Sequence, residues 1–177
     1  DRREGFVSDE HGRDNVSTAE LALDANGKFL ALRVAITLNI GAYLTARSAA
    51  PGTNNVGGLA GVYTTPAIHV RTTAVYSNTT PTGPYRGAGR PEATYAIERA
   101  IDVAARELSL DPIELRRRNL IPSSAMPFKT GLVFTYDCGD FTRGMEMALA
   151  LADHAGFAER RRDARQRGKL RGLGIAN

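Results

Sequence analysis

The sequence predicts an α+β fold in which a β-hairpin and further strands pack with three to four helices. Before residue 80, apolar and β-branched residues form strand-length runs bounded by turn-forming residues. After residue 90, apolar residues recur at the 3.6-residue helical period. The 177 residues, 42% of them hydrophobic and 24% charged, suit one globular domain. We therefore expect residues 1–80 to be mainly β and residues 81–170 mainly α.

Charge and composition exclude several classes of protein. The chain carries 23 Lys and Arg against 19 Asp and Glu, and it has no Trp. Neither basic run, Arg116–Arg118 or residues 159–171, contains an aromatic residue that could stack on a base, so nucleic-acid binding is not predicted. No apolar run approaches the ~20 residues that cross a membrane, and no signal peptide is visible. A cytoplasmic location is the resulting expectation.

The N-terminal half reads as strands and connectors. Residues 1–15 are polar and predict a loop or frayed strand, with His11 on the surface. A β-hairpin follows from Ser17 to Tyr43, turning at 24–27, because Asn and Gly tolerate the backbone of a tight turn. Its return strand is long and mostly apolar, which predicts burial on both faces over part of its length.

The next segment, residues 45–66, is rich in Ala, Gly and Asn and predicts a short helix or irregular connector. Residues 67–76 then predict a strand with β-branched residues. Ile68, Val70 and Thr72 share one face of that strand, and His69 lies on the other face with Arg71. We expect the His69 imidazole to be solvated or hydrogen-bonded.

A loop of Tyr85-Arg86-Gly87-Ala88-Gly89-Arg90 comes next, and Pro91-Glu92 then opens a long helix. Glycine lets the backbone bend sharply and lets another group approach closely. Proline is tolerated in the first helical turn, and Glu92 suits the positive end of the helix dipole. Exposed N–H groups and two arginines on a rigid helix predict an anion or cofactor cradle. The alternative is a glycine-rich helix entry with two solvated arginines.

The C-terminal half predicts further helices. The first continues to about Leu108, and a second begins at Pro112 with Asp111 as its cap. Arg116, Arg117 and Arg118 are expected to be solvated or in surface ion pairs, although some could face neighbouring segments. A short strand is expected at 132–134.

A third helix is predicted from Asp140 to about His154. Its expected buried stripe comprises Phe141, Met145, Ala148, Leu149 and Ala152. Met145 and Met147 are interpreted as packing residues rather than metal or redox sites. A basic helix should follow at 157–167, and then the start of a strand at 170–176. The single cysteine, Cys138, permits no intramolecular disulfide and is expected to be a buried free thiol.

Three segments in this order and spacing carry a specific resemblance. They are Tyr85-Arg86-Gly87-Ala88-Gly89, Pro91-Glu92, and Pro112-Ile113-Glu114-Leu115-Arg116-Arg117-Arg118-Asn119. Together they resemble the molybdenum-cofactor-binding subunit of the xanthine dehydrogenase, aldehyde oxidase and carbon monoxide dehydrogenase family. Weaker similarity runs through nearly the whole chain, including Arg3-Glu4, 11–14, 39–43 and 171–174. The resemblance implies that residues 1–177 form one partial molybdopterin-binding domain of a larger subunit.

The resemblance also implies roles for individual residues. Tyr85, Arg86, Gly87, Ala88 and Gly89 should bind the cofactor, with backbone amides near the oxygen ligands of molybdenum. Ala88 and Asn54 should line the substrate pocket. Ala88 stands where purine-oxidising members place an aromatic residue, so purine specificity is not expected. Gly87 stands where members that oxidise carbon monoxide carry a copper-binding Cys, so that activity is not expected either.

The implied function is oxidation of an aldehyde or N-heterocycle with water as the oxygen source. Molybdenum–molybdopterin would serve the complete enzyme, with iron–sulfur clusters and FAD on other subunits or domains. The sequence lacks the family's upstream Gly-rich cofactor loop and its downstream Gly-Gln-Gly and Gly-Glu-Gly segments, the last of which holds the catalytic Glu. No catalytic residue or metal ligand is therefore assigned, and the isolated chain is expected to be inactive and to bind no cofactor alone.

Two alternatives stay open. The chain could be a non-catalytic binding or interaction module that retains this fold. It could also be one half of a split subunit, with another polypeptide supplying the rest. In every enzymatic reading the partners are the remainder of the molybdopterin subunit and the iron–sulfur and FAD subunits.

Overall fold

The computed structural model describes residues 1–54 and 56–177, and it has the predicted α+β architecture. The helices are α1 (Arg2–Ser8), α2 (Ala50–Thr53), α3 (Arg90–Glu107), α4 (Pro112–Asn119), α5 (Phe141–Leu151) and α6 (Phe157–Gln166), with 3-10 turns at Val56–Ala60 and Ser123–Ala125. The strands are β1 (Asn15–Leu23), β2 (Phe29–Gly41), β3 (Ala67–Tyr76), β4 (Phe128–Lys129) and β5 (Thr135–Tyr136).

The main sheet has the order β1-β2-β3. β1 and β2 form the predicted antiparallel hairpin. The Asp24 carboxylate closes its turn by accepting the N–H groups of Asn26 at 2.8 Å and Lys28 at 2.9 Å. β3 lies parallel to β2 on the other side, so the chain crosses over through residues 42–66. β1 and β3 are therefore the two edges of the sheet.

One face of the sheet packs against α3 and α4. The buried core comprises Phe29, Leu32, Val34, Leu59, Tyr63, Ala93, Ile97, Ile101, Ala105, Ile113, Leu115, Leu120 and Met145. Along β2, Leu32 and Val34 are buried, whereas Leu30 and Arg33 are exposed. The expected burial of β2 on both faces over part of its length is found at its end, where the adjacent residues Ile40 and Gly41 are both buried. Over the rest of the strand the helices cover one face.

α3 has a narrower buried stripe than its apolar residues at 93, 96, 97, 100, 101, 104 and 108 predict. Ala93, Ile97, Ile101 and Ala105 recur every four residues and face the core. Leu108 comes after the helix and is 50% exposed. The small alanines let the helix lie close to the sheet and to the Val56–Ala60 turn.

The first residues form a helix, so the expected loop or frayed strand is wrong. The side chain of Asp1 accepts the N–H groups of Arg3 at 2.8 Å and Glu4 at 3.1 Å. The Glu4 carboxylate accepts in return from the amino group of Asp1, which completes a capping box. These caps satisfy donors that a helix leaves unpaired at its start. No residue of α1 is buried.

Arg116 is fully buried, which corrects its assignment to the surface. Its Nε lies 2.8 Å from a Glu98 carboxylate oxygen, and an Nη lies 2.9 Å from Asp102. It also donates to the carbonyls of Pro112 and Ile175, each at 3.1 Å. Burial disfavours its charged form, but the Glu98 carboxylate raises the pKa of Arg116 above its usual range, so it remains a cation.

The next two arginines follow the expectation. Arg117 and Arg118 form surface ion pairs with Glu114, and Arg117 also pairs with Glu146. The buried and exposed arginines differ by one position on α4, which turns each side chain by about 100° around the helix. The sequence alone does not show which face of α4 packs against α3, and so it does not show which of the three arginines is buried.

Three expectations for the C-terminal part are wrong. Residues 132–134 are not a strand: they join β4 to β5, where the Thr130 N–H donates to the Phe134 carbonyl at 2.9 Å. Residues 170–176 form no strand, because they pair with no ladder. Cys138 is exposed rather than buried. The basic helix, α6, is confirmed.

α5 is confirmed as a helix capped by Asp140, which accepts the Arg143 N–H at 3.0 Å. Its expected buried stripe is confirmed in part: Met145 is buried and Phe141 and Leu149 pack against the core, whereas Ala148 and Ala152 are exposed. The helix lies at the margin of the core and reaches it through a few side chains. Among the described residues no helix is long and apolar enough to span a membrane.

Candidate functional site

The Tyr85–Gly89 loop makes a tight double turn directly before α3. Gly87, Ala88 and Gly89 have φ angles of 91°, 47° and 97°, so three successive residues adopt the left-handed region. The Ala88 N–H donates to the Tyr85 carbonyl at 2.6 Å, and the Arg90 N–H donates to the Gly87 carbonyl at 3.0 Å. Glycine adopts this conformation without the steric cost that other residues incur.

The two glycines are also required by their surroundings. A Cβ on Gly89 would overlap the Pro51 carbonyl oxygen of α2, and a Cβ on Gly87 would lie 2.6 Å from Cδ of Pro91. Gly89 is the residue that caps α3, and the Ala93 N–H donates to its carbonyl at 3.0 Å. The loop is therefore seated tightly between α2 and the start of α3.

The outer part of the loop is open. Tyr85 is 64% exposed, Arg86 and Arg90 are exposed, and Gly87 is half-buried. In the described part of the chain, the N–H groups of Tyr85, Arg86, Gly87 and Gly89 have no hydrogen-bond acceptor. Successive N–H groups in a turn form a concave anion site, and the N-terminal end of a helix adds partial positive charge.

Asn54, predicted to line the substrate pocket, lies at the C-terminal end of α2. Its N–H donates to the Ala50 carbonyl at 3.0 Å, and its side chain is exposed. Pro51 of the same helix lies against Gly89, which puts α2 and the loop side by side. No contact between described residues joins the side chains of Asn54 and Ala88, so their common pocket stays a prediction.

Arg13, to which no role was assigned from the sequence, contacts the loop. Its guanidinium carbon lies 4.8 Å from the centre of the Tyr85 ring, and an Nη donates to the Arg86 carbonyl. Its Nε lies 3.9 Å from a carboxylate oxygen of Glu92. Arg13 belongs to the 11–14 segment of the family resemblance, and that membership was the only signal available in the sequence.

A small cavity of about 20 Å³ lies under the loop, between Arg13, Pro51, Thr82, Gly89 and Glu92. This is room for about one water molecule. The buried Oε2 of Glu92 has no hydrogen-bond partner among the described residues. A buried polar oxygen of this kind is normally satisfied by water or by another group.

The residues fit an oxygen-rich anionic group better than a protein-bound metal ion. Within the described residues no group of three or more His, Cys, Asp or Glu side chains could hold a metal. The loop instead offers N–H donors and the cations of Arg86 and Arg90. These groups fit the oxygen ligands and phosphate of a molybdopterin–molybdenum cofactor, in which the pterin holds the metal.

The family assignment rests on a match over residues 1–120 to the model of the molybdopterin cofactor-binding domain. The chain belongs to this family. The chain is also 37% identical to the 6-hydroxypseudooxynicotine dehydrogenase complex subunit gamma of Paenarthrobacter nicotinovorans, across 99% of its own length and 23% of that protein. The residues matched to this domain include the Tyr85–Gly89 loop and α3.

Solved structures agree with this assignment. A Cu,Mo-CO dehydrogenase in its carbon monoxide reduced state superposes with a TM-score of 0.85 and 31% identity, over 96% of this chain and 22% of that one. Quinoline 2-oxidoreductase from Pseudomonas putida 86 superposes with a TM-score of 0.84 and 34% identity, over 95% of this chain and 22% of that one. The expectation of a fold that is part of a larger molybdopterin-binding domain is confirmed.

The chain spans between a fifth and a quarter of the length of these relatives. It is therefore a fragment of the kind of subunit they represent. One of these relatives is named as a molybdenum-containing dehydrogenase, one as an oxidoreductase and one as a subunit of a dehydrogenase complex.

Proposed function

We propose that this chain is part of the cofactor-binding subunit of a molybdenum hydroxylase, in which the Tyr85–Gly89 loop contacts the molybdopterin-held metal. One observation carries the proposal: the N–H groups of Gly87 and Gly89 lack an acceptor among the described residues and lie at the N-terminal end of an 18-residue helix. Preorganised backbone donors stabilise oxygen ligands without having to reorganise when the ligand charge changes.

The bound cofactor supplies the two-electron redox chemistry of substrate oxidation, with water as the oxygen source. The residues of this chain bind the cofactor and orient it. The Gly87 and Gly89 amides donate hydrogen bonds, and the missing side chains let Pro51 and Pro91 pack closely against the loop that holds these amides. Arg86 and Arg90 supply positive charge at the rim. The general-base carboxylate is proposed to come from the remainder of the subunit.

The loop disfavours carbon monoxide as the substrate. Gly87 has no side chain with which to bind copper, and its φ of 91° and the nearby Pro91 ring oppose any larger residue. Ala88 is small and half-buried, so it offers no aromatic face for purine stacking. An aldehyde or an N-heterocycle is the proposed substrate, with Ala88 and Asn54 in the pocket wall. The relative named for quinoline favours the N-heterocycle.

The proposed assembly contains the remainder of the molybdopterin subunit together with iron–sulfur and FAD subunits. The dehydrogenase complex named for one relative supports a multi-subunit enzyme. Electrons would leave the molybdenum through the iron–sulfur clusters to FAD. This chain would contribute the loop and part of the channel wall.

The test is Arg86→Ala in the complete enzyme, with Arg143→Ala on α5 as the matched control. Arg143 is an exposed arginine on α5, an element outside the proposed site. We expect Arg86→Ala to lower turnover by at least about tenfold or to lower bound molybdenum, because charge-assisted contacts are lost. Arg143→Ala should leave both unchanged. Unchanged turnover and molybdenum in Arg86→Ala would contradict the role of the loop.

A second candidate is a non-catalytic module, or one half of a split subunit, since the chain spans less than a quarter of its relatives. Co-purification separates these possibilities. A partner that carries the family's Gly-Glu-Gly segment would indicate a split enzyme. Molybdenum bound one-to-one by the isolated chain would contradict the proposal that cofactor binding requires the remainder of the subunit.

A further inference from the structure

The geometry points to Arg13 as a positioning residue that fixes the Tyr85–Gly89 loop and sets the direction of the Gly87 N–H. The inference rests on the proposed function for the ligand that the loop meets, but the order of the loop can be measured separately. Arg13 is not a catalytic residue, because its side-chain contacts among the described residues are to the loop and the first turn of α3.

Arg13 joins three parts of the site with one side chain. Its guanidinium lies over the Tyr85 ring at 4.8 Å, donates to the Arg86 carbonyl, and faces Glu92 at 3.9 Å. These contacts cover the entry of the loop, its middle and the start of the helix. A planar group with five N–H donors can stack and donate in this way, whereas a lysine ammonium cannot do both.

The contact to the Arg86 carbonyl has a consequence for the next residue. A trans peptide is planar, so the carbonyl of Arg86 and the N–H of Gly87 point in opposite directions. Because Arg13 holds this carbonyl on its own side, the Gly87 N–H is turned to the other side, where it has no acceptor among the described residues. Arg13 therefore sets the direction of a proposed cofactor donor without touching the cofactor.

The segment that carries Arg13 is itself firmly anchored. The His11 N–H donates to the Pro81 carbonyl at 3.1 Å, and the Gly83 N–H donates to the His11 carbonyl at 2.9 Å. On the other side the Asn39 N–H donates to the Asp14 carbonyl at 3.0 Å. Arg13 adopts φ of 62°, a conformation that a non-glycine residue keeps only where its surroundings hold it.

Close packing strengthens the link between this segment and the loop. A Cβ on Gly12 would lie 2.6 Å from Cβ of Tyr85, so the two backbones approach as closely as glycine permits. The Arg13 side chain itself is 37% exposed and lies outside the core. Its removal should therefore disturb the loop far more than the global fold.

The experiment uses the complete enzyme and the variants Arg13→Met and Arg13→Lys, with Arg117→Met as control. Arg117 is similarly exposed and also bridges two elements through carboxylates, Glu114 and Glu146. Hydrogen exchange is followed at the amides of Ala88 and Arg90, which are bonded within the loop. Bound molybdenum, kcat and KM are measured on the same samples.

We expect Arg13→Met to speed exchange at Ala88 and Arg90 by at least about tenfold, because a hydrogen bond from a charged donor is lost. Amides of β2 should not change, molybdenum content should fall, and kcat should fall more than KM rises. Arg13→Lys should be intermediate, and Arg117→Met should match the parent protein.

Two results would overturn the inference: unchanged loop exchange in Arg13→Met, or faster exchange that extends equally to β2. Faster exchange confined to the loop with unchanged molybdenum would uphold the positioning role and count against the proposed cofactor contact. The failure of the positioning role and the failure of the proposed function are therefore distinguishable.

Discussion

The loop conformation does not accommodate a side chain at Gly89, even the methyl group of alanine. The residue has φ of 97°, and an added Cβ would overlap the Pro51 carbonyl oxygen. The obstacle is backbone rather than a flexible side chain, so it cannot move away at low cost. Gly144, in contrast, lies inside α5 with no atom within 4 Å of its missing Cβ.

We predict that Gly89→Ala lowers the free energy of unfolding by about 2–4 kcal/mol, from left-handed strain plus steric overlap. Gly144→Ala should raise it by about 0.5–1 kcal/mol, since alanine favours a helix interior. Urea denaturation of both variants tests the pair. Equal changes in the free energy of unfolding for the two variants would show that Gly89 is not tightly packed against α2.

Cys138 offers a second test at a single residue. The thiol is exposed, and a hydrogen bond to the Asp137 carboxylate together with its negative charge raises the pKa of Cys138. A raised pKa means less thiolate at neutral pH, and the thiolate is the nucleophile. Asp137→Asn removes the charge, so it should lower this pKa.

We therefore expect Asp137→Asn to alkylate severalfold faster at pH 7 with iodoacetamide, measured by mass spectrometry of the Cys138 peptide. The difference should vanish well above the pKa of both proteins, where each thiol is fully ionised. Equal rates at pH 7 would show that Asp137 does not control this thiol.

Individual side chains show how far sequence reasoning reaches. The glycines of the loop were identified because glycine adopts sharp backbone turns at the least steric cost, and the structure gives both a positive φ. The burial of Arg116 and the exposure of Cys138 were missed. Each depends on which other element packs against the residue, and a local pattern contains no such information.

At the scale of elements, Arg116 joins α3 to α4. Both oxygens of Glu98 are satisfied, one by Arg116 at 2.8 Å and the other by the Tyr63 hydroxyl at 2.7 Å. Burial, with the charge of Glu98, raises the pKa of Tyr63, so this hydroxyl stays a donor. Since the Tyr85–Gly89 loop leads directly into α3, the Arg116–Glu98 ion pair holds in place the helix that supports the candidate site.

We predict that Arg116→Met destabilises the chain by about 3–5 kcal/mol, because it leaves the Glu98 carboxylate buried without its cation. Adding Glu98→Gln should recover part of the loss, because the unpaired charge is then removed as well. Arg117→Met, an exposed pair on the same helix, should cost no more than about 1 kcal/mol. Native-state hydrogen exchange of α3 and α4 measures all three, and a double variant no better than Arg116→Met would contradict the pairing.

Elements were predictable where their signals are local. The β1–β2 hairpin follows from its turn residues, and α4 follows from the Asp111 cap, which accepts the N–H groups of Ile113 and Glu114. The capping box of α1 was present in the sequence at Asp1 and Glu4 but was not used. The buried face of α5 could be predicted only in part, because an amphipathic pattern does not reveal how much of the helix the core covers.

At the scale of the molecule, the accessible surface is larger than that of a typical folded monomer of the same mass. The accessible area is 11127 Å² for a chain of 19.0 kDa. A folded monomer of this mass exposes about 8,400 Å². This is an excess of roughly a third, and it includes exposed aromatic side chains such as Tyr76, Tyr85 and Tyr95.

The outer edge of β3 provides a test of whether the remainder of the subunit covers the excess surface. β3 pairs only with β2 in its sheet, so its other edge leaves N–H and C=O groups without ladder partners, and an exposed edge of this kind invites pairing. We predict that amides of residues 67–76 exchange at least about tenfold more slowly in the complete subunit than in the 177-residue chain, because the remainder covers them. β2 lies between two strands, so its protection in both samples shows that the 177-residue chain is folded and serves as the control. Equal exchange of β3 in the two samples, with β2 protected in both, would show that this edge faces solvent in the enzyme and that the excess surface is covered elsewhere.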